Sequence, residues 1–322
     1  MKRINIYINE TDEEKIKQLA VNYKTSNSDI MRRAIIEYCE SHDVINFELN
    51  SSDLYDIDTM SINDILQNPI HFINNYIHIN TLDGQQLFSL YDYQEKLVSI
   101  LNNYNKVIIK NSRQSGMTSL LNAYALYLLL TIPDTHIVLF KYKLNYGHSS
   151  INQIRMMIDN IKSLISQKIT ISSATTDIIT LSNNSSISIA SFSSIDRLRG
   201  NNIDVLICDD FAYGTDLQYS ELIPILKSNI NKIIINSTPS IPNLYTKLWT
   251  DATTGYNTFY PVKIPYTVNK SHGTDWKLKT ISYMGQERFD SEFNGVFTES
   301  DFDITNQKRE NINGGLGDSY GF

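Results

Sequence analysis

Three short apolar runs recur along the middle of the chain, and each one ends in polar residues. Residues 107–109 (V-I-I) precede K-N-S-R-Q-S-G-M-T, residues 203–208 (I-D-V-L-I-C) precede Asp209-Asp210, and residues 232–236 (K-I-I-I-N) precede Ser237-Thr238-Pro239. Apolar residues at consecutive positions over so short a span predict strands buried on both faces, as in a parallel sheet. Residues 136–142 predict a further core strand. Helical patterns lie between the strands: the long apolar stretch 124–132 reads as a core helix, 149–164 as a second helix and 243–252 as an amphipathic third. Residues 177–181 and 186–190 flank the turn Asn183-Asn184 and predict a hairpin beside the sheet. Residues 259–264 predict an edge strand, 276–283 and 287–293 two short helices, and the stretch 67–101 reads as helical. Strands alternating with helices in this way predict an α/β fold with a mainly parallel central sheet flanked by helices.

The ends of the chain follow other patterns. Residues 3–9 alternate strictly, with Ile4, Ile6 and Ile8 on one face and Arg3, Asn5 and Tyr7 on the other. Thr11 or Asn9 caps an expected helix to about position 23, and Ser26 or Ser28 caps a second to about 41. One strand and two helices cannot bury their apolar faces alone. This layout resembles a ribbon-helix-helix domain, in which two chains pair their strands into a ribbon that enters the major groove. By position, Arg3, Asn5 and Tyr7 would face the bases; a dimerisation module without DNA binding is the alternative. Residues 43–66 read as an Asp-, Asn- and Ser-rich tether, and 298–322 as a polar, glycine-rich tail. The expected organisation is therefore 1–42, 43–66, 67–297 and 298–322.

Composition changes this picture little. The 322 residues are 41% hydrophobic and 20% charged, enough for one large core and a small extra unit. The formal charge of −7 argues weakly against a nucleic-acid partner until it is located: the tether carries six acids and no Lys or Arg. No stretch is long and apolar enough to span a membrane, and the N-terminus lacks the apolar core of a signal peptide. Cys39 and Cys208 fall in an expected helix and strand, which fits a reducing compartment.

The chemistry sits at the strand ends. A strand, a tight polar turn and a helix N-terminus together present unsatisfied N–H groups and a helix dipole to an anion. Set against the phosphate-loop pattern G-x-x-x-x-G-K-[ST], Asn111 takes the first Gly, Gly116 fits, Met117 replaces the Lys, and Thr118 supplies a hydroxyl for Mg²⁺. The Asp209-Asp210 pair stands where a nucleotide-hydrolysing site holds its metal and polarises a water.

S-R-Q-S-G-M-T (112–118), L-R-G (198–200), V-L-I-C-D-D-F-A-Y (205–213) and S-T-P (237–239) resemble the ATPase domain of the large subunit of tailed-phage terminases, a P-loop NTPase fold. The flanks N-P-I-H-F-I (68–73) and L-Y-D-Y-Q (90–94) resemble the segment leading into that domain, and L-Y-T-K-L-W (244–249) and E-R-F-D-S-E-F-N-G-V-F (287–297) the segments closing it. The resemblance implies an ATP-driven motor moving double-stranded DNA into a procapsid, with ATP and Mg²⁺ as cofactors. It also implies a portal and small terminase subunit as partners, a ring of like subunits, and the host cytoplasm as the place of assembly. A catalytically weak or inactive DNA-binding packaging component is the alternative. The nuclease domain that the family carries after position 297 is not expected in residues 298–322, so a nuclease is expected either as a separate partner polypeptide or as a part cut away from this one.

Residue by residue, the resemblance implies that Tyr93 and Gln94 read adenine, and that Ser112, Arg113, Gln114, Ser115, Gly116, Met117, Thr118 and Ser119 form the phosphate loop. Thr118 and Asp209 would hold Mg²⁺, Asp210 would deprotonate the attacking water, Arg199 would stabilise the transferring phosphoryl group, and Thr238 would sense the γ-phosphate. Two positions depart from the family pattern: Met117 for Lys, with Arg113 or Lys110 as substitute cations, and Asp210 for Glu.

Overall fold

The computed structural model describes residues 66–82, 84–165, 169–198, 202–239 and 243–297, with two isolated helical positions at Lys15 and Gln18. Arg3, Asn5, Tyr7, Arg199 and the tail from 298 lie outside the described residues. The chain divides into two units, Met1–Thr59 and Met60–Phe322, and every described strand and every described helix beyond those two isolated positions belongs to the second.

Asn68 opens α1 (Pro69–Tyr76) by accepting from the N–H groups of Ile70 and His71, and Pro69 stands at the start of the helix, where no N–H is needed. The expected helical stretch is then interrupted. β1 (His78–Thr81) and β2 (Gly84–Leu87) form a separate antiparallel hairpin. H-I-N-T and G-Q-Q-L have no apolar stripe at helical spacing, and Gly84 turns the chain with a φ of +101°, which L side chains avoid. Helix resumes at α2 (Asp92–Asn103), where the Gln94 side-chain oxygen accepts from the Tyr91 N–H and the Gln94 N–H donates to the Tyr91 carbonyl.

The main sheet has eight strands. They are β3 (Lys106–Asn111), β4 (His136–Lys141), β5 (Ile171–Ala174), β6 (Ile178–Leu181), β7 (Ser186–Ser191), β8 (Val205–Asp209), β9 (Lys232–Ser237) and β10 (Tyr260–Ile264), in spatial order β10-β3-β9-β8-β4-β7-β6-β5. From β10 through β7 every pairing is parallel; β6 and β5 then run antiparallel, as the hairpin expectation required. The helices are α3 (Met117–Thr131), α4 (Leu144–Ile165), α5 (Asp216–Leu226), α6 (Leu244–Thr254), α7 (Thr274–Met284) and α8 (Gln286–Phe289), which runs into a π turn at Asp290–Asn294. None of the described helices is long and apolar enough to cross a membrane.

Strand alternation sorts the core into two layers. Val107, Ile109, Ile137, Leu139, Val205, Ile207 and Ile234 pack with α1 to α4 on one face. Ile108, Val138, Phe140, Leu206, Cys208, Ile233 and Ile235 pack with α5 and α6 on the other. α3 is buried at twelve of its fifteen positions, so it is a central helix roofed by α1 and α2 rather than a surface one. Each fully buried Leu in it contributes about 1.5–3 kcal/mol of transfer free energy. The Tyr245 hydroxyl of α6, fully buried, donates towards the carbonyls of Ile109 and Ser237, which ties together the carboxyl ends of β3 and β9. That tie matters because the candidate site residues stand at those ends.

Candidate functional site

On the α3 face the apolar rows of the core strands give way to polar residues. Following Ile109, Ile234, Ile207 and Leu139 by two residues each come Asn111, Asn236, Asp209 and Lys141. Parallel register sets three of them at one height, Asp209 beside Asn236 on one side and Lys141 on the other. Asn111 stands two residues further on, because Asn236 is level with Ile109. Asp209 is 2% exposed and its carboxylate is saturated with donors. Its Oδ1 accepts from Asn236 Nδ2 at 2.6 Å and from the Asp210 N–H at 3.2 Å. Its Oδ2 accepts from Thr118 Oγ1 at 2.8 Å and from Lys141 Nζ at 2.5 Å. Burial alone would raise this carboxyl; the Lys141 charge and the donors Lys141, Asn236 and Thr118 outweigh it and hold the group below the usual carboxylate range.

Above this row a cavity of about 430 Å³ opens, lined by the loop Arg113–Ser119 and by Asn111, Tyr142, Tyr146, Asp209, Asp210, Tyr213, Asn236 and Thr238. Its roof is the start of α3, whose first-turn N–H groups lack intrahelical acceptors and whose dipole is positive at that end. Gly116 precedes the helix at φ +67°, and a Cβ there would stand 3.0 Å from Gln94 Nε2, so the position demands glycine for backbone and space alike. Asp210 also has left-handed backbone, φ 59°, and lines the cavity with its carboxyl raised to about 6 by burial and by the neighbouring Asp209 charge.

The loop residues divide by role. Ser112 is buried and its N–H donates to Ile264 O of β10, so it is built into the sheet edge rather than the cavity. Arg113 lines the cavity, yet its Nε lies 3.0 Å from Glu292 and its N–H donates to Glu292 O; Nη2 reaches the Tyr213 hydroxyl at 3.4 Å. Tyr213 in turn shares a 3.0 Å hydrogen bond with Thr238. Met117 is 3% exposed and apolar where a phosphate loop carries its cation. Ser119 accepts at its hydroxyl from Gln153 of α4.

Tyr93 and Gln94 meet the loop from behind. The Tyr93 hydroxyl donates to Ser115 O at 2.8 Å; Gln94, 1% exposed, accepts from the Tyr91 N–H and stands 3.5 Å from Ser115 O. Neither is among the residues lining the cavity. Lys110, expected as a possible substitute cation, is one residue out of phase. It projects to the α6 face, with Nζ 4.7 Å from the Trp249 ring centroid and 5.0 Å from that of Phe297. Arg197, the other Arg of the same loop segment, pairs with Asp177 at 2.7 Å. The sequence reading missed Lys141, Asn236, Tyr213 and Glu292. For Lys141 the signal was present: in H-I-V-L-F-K it continues the face of Ile137 and Leu139 at period two.

A family model described as the terminase large subunit, T4-like virus type, N-terminal, matches residues 108–312. No curated protein matches the sequence. Among solved structures, the HK97 bacteriophage large terminase is similar at 14% identity and TM-score 0.55, over 72% of this chain and 55% of that one. The ATPase domain of the Thermus phage P74-26 large terminase is similar at 14% identity and TM-score 0.54, over 62% of this chain and 92% of the domain. The large terminase of a thermophilic bacteriophage, in a complex with ADP, is similar at 12% identity and TM-score 0.51 over 65% of this chain and 53% of that one. The chain thus spans little more than half the length of the two longer relatives.

Proposed function

The chain belongs to the family of terminase large subunits of the T4-like type, in their N-terminal part, and on that premise we propose that it is the ATP-hydrolysing subunit of a viral DNA-packaging motor. One observation carries the proposal: the loop Arg113–Ser119, Thr118 and the acids Asp209 and Asp210, far apart in sequence, line a single cavity. A helix N-terminus roofs that cavity, which suits a polyphosphate.

The donor set suits Mg²⁺. The Thr118 hydroxyl and the Asp209 carboxylate are adjacent hard oxygens, and Mg²⁺ takes one or two such protein ligands beside phosphate oxygens and water. When bound, the ion would neutralise charge between the β- and γ-phosphates. The first-turn N–H groups of α3 would hold the β-phosphate. Asp210, ionised at neutral pH but with its carboxyl raised to about 6, is well matched to accept the proton of an attacking water. Arg113 would leave Glu292 to meet the phosphates, and the path Thr238–Tyr213–Arg113–Glu292 would carry a change at the γ-phosphate to the turn after α8. Tyr93 and Gln94 brace the loop in this reading, and any contact with adenine would come from the same α2 end. The proposed partners are double-stranded DNA, the portal of a procapsid, a small terminase subunit, a nuclease and further copies in a ring, acting in the host cytoplasm. Arg3, Asn5 and Tyr7 are the proposed DNA contacts of residues 1–42, and Arg199 the proposed trigger of hydrolysis.

A second reading, a nucleotide-binding packaging component with little turnover, is favoured by the buried apolar Met117. DNA-stimulated ATP turnover of the wild type and of Arg113→Ala separates the two. The motor reading expects turnover that DNA raises and that the substitution lowers about a hundredfold or more, as for loss of a cation beside a transferring phosphoryl group. Wild-type turnover at background with DNA present would leave the second reading standing.

A further inference from the structure

We propose that Lys141 is the resident cation of this phosphate site, replacing from the end of β4 the charge that Met117 removes from the loop. The inference rests on the nucleotide-site reading above and adds a residue outside the loop and its acids. Burial, charge balance and topology lead to it.

Lys141 is 2% exposed, and its Nζ lies 2.5 Å from Asp209 Oδ2, the same oxygen that accepts from Thr118. The ammonium therefore stands within about two hydrogen-bond lengths of the Thr118 hydroxyl, behind Asp209, which lines the cavity. A buried lysine–carboxylate pair is a poor way to stabilise a core, because the desolvation of both charges offsets most of their attraction and an apolar pair would serve as well. Its position at the end of an otherwise apolar row, beside a polar cavity, gives the pair a use that packing does not.

The charge balance points the same way. Asp209 and Asp210 bring two negative charges to a cavity meant for a polyanion. Among the described residues that line it the one Lys or Arg is Arg113, and Lys141 stands directly behind the lining acid Asp209. Arg113 is half exposed and engaged by Glu292, whereas Lys141 is buried against Asp209 and its charge also acts on Asp210. Lys110 lies on the other face of the sheet, among aromatic rings.

Topology makes the replacement feasible. β4 pairs with β8 in parallel, with Lys141 opposite Asp209, so the cation is delivered by strand register rather than by the loop. Met117 lines the cavity from the start of α3, and Lys141 pairs with Asp209, which lines it too, so a charge moved between positions 117 and 141 stays beside one cavity.

The test moves that charge. Lys141→Gln keeps a donor for Asp209 while removing the charge; Met117→Lys restores a charge in the loop. Binding of ATP is measured by calorimetry with Mg²⁺ and with EDTA, together with steady-state turnover and thermal melting, for the wild type, Lys141→Gln and the double variant. Lys141→Gln is expected to weaken binding of metal-free ATP by about tenfold or more and turnover by about a hundredfold. The double variant is expected to recover at least about a tenth of each loss while melting with Lys141→Gln. Binding of metal-free ATP that Lys141→Gln leaves unchanged overturns the proposal. So does a loss that the double variant does not recover, because a lysine needed only to hold Asp209 cannot be replaced by a charge at position 117. The binding arm decides the matter even for a wild type that hydrolyses nothing, an outcome that would defeat the motor reading alone.

Discussion

Lys110 and Lys141 stand near the carboxyl ends of two core strands, β3 and β4, and the sheet sends them to opposite faces. Lys141 enters the α3 layer and meets the carboxylate of Asp209, which lines the cavity. Lys110 enters the α6 layer and meets the rings of Trp249 and Phe297. Burial, and then the charge of Lys263 on the neighbouring strand, push the Lys110 ammonium down to about 8. Both residues are lysines on buried strands, yet one has a counter-ion that balances its desolvation and the other has only the faces of aromatic rings. A single step in strand phase separates a charge that can act on a phosphate from one that cannot reach it.

That contrast can be tested from both sides. The largest effect is expected for Asp209→Ala, which strips the counter-ion from a lysine side chain that is 3% exposed. Urea unfolding should show a loss of about 3–5 kcal/mol, the usual consequence of leaving one partner of a buried ion pair alone. A loss under about 1 kcal/mol, typical of a solvated surface pair, would mean that the two lysines do not differ as described.

Asp210→Asn should give a smaller, pH-dependent effect. The folded protein raises this carboxyl from about 3.9 in an unfolded chain to about 6, by burial and by the Asp209 charge. An acid raised in the fold binds more protons folded than unfolded between those values, so metal-free wild-type stability should fall as pH rises from about 4 to 6 and level off above. The Asn variant lacks this fall. Its stability relative to the wild type should grow across that window, while its turnover drops to background. Parallel stability curves would remove the electrostatic strain assigned to the two acids.

The smallest effect is expected for Lys110→Met, a volume-conserving change that keeps the contact with Trp249. Stability should move by less than about 1 kcal/mol at neutral pH and turnover by no more than about twofold. Since the ammonium is lowered to about 8, the wild type should gain stability as pH rises above that value, a gain the Met variant lacks. A large loss of turnover in Lys110→Met would return this lysine to the phosphate site and blur the distinction between the faces.

Much of the scaffold was legible in local pattern. The core strands, the hairpin of β6 and β7 and the helix after the loop follow from runs and periods that need no knowledge of the partner elements. Gly116, Thr118, Asp209 and Asp210 were legible because each stands at a strand end or helix start whose chemistry is local. The hairpin of β1 and β2 was missed, since four-residue strands with exposed polar residues leave no periodic trace. Glu292 was missed as a partner of Arg113 because most of the domain's sequence lies between them and no local signal joins them.

What residue order alone established is the set of parts: buried strands with polar ends, a bend that needs glycine, a hydroxyl, two adjacent acids and a missing lysine in the loop. Assembly in three dimensions settled which lysine stands in the site. Strand order put β4 beside β8, and parallel register put Lys141 level with Asp209. The reason is physical: a period of two decides which face a side chain takes, but which carboxylate awaits it there depends on crossover connections that no short window of sequence contains.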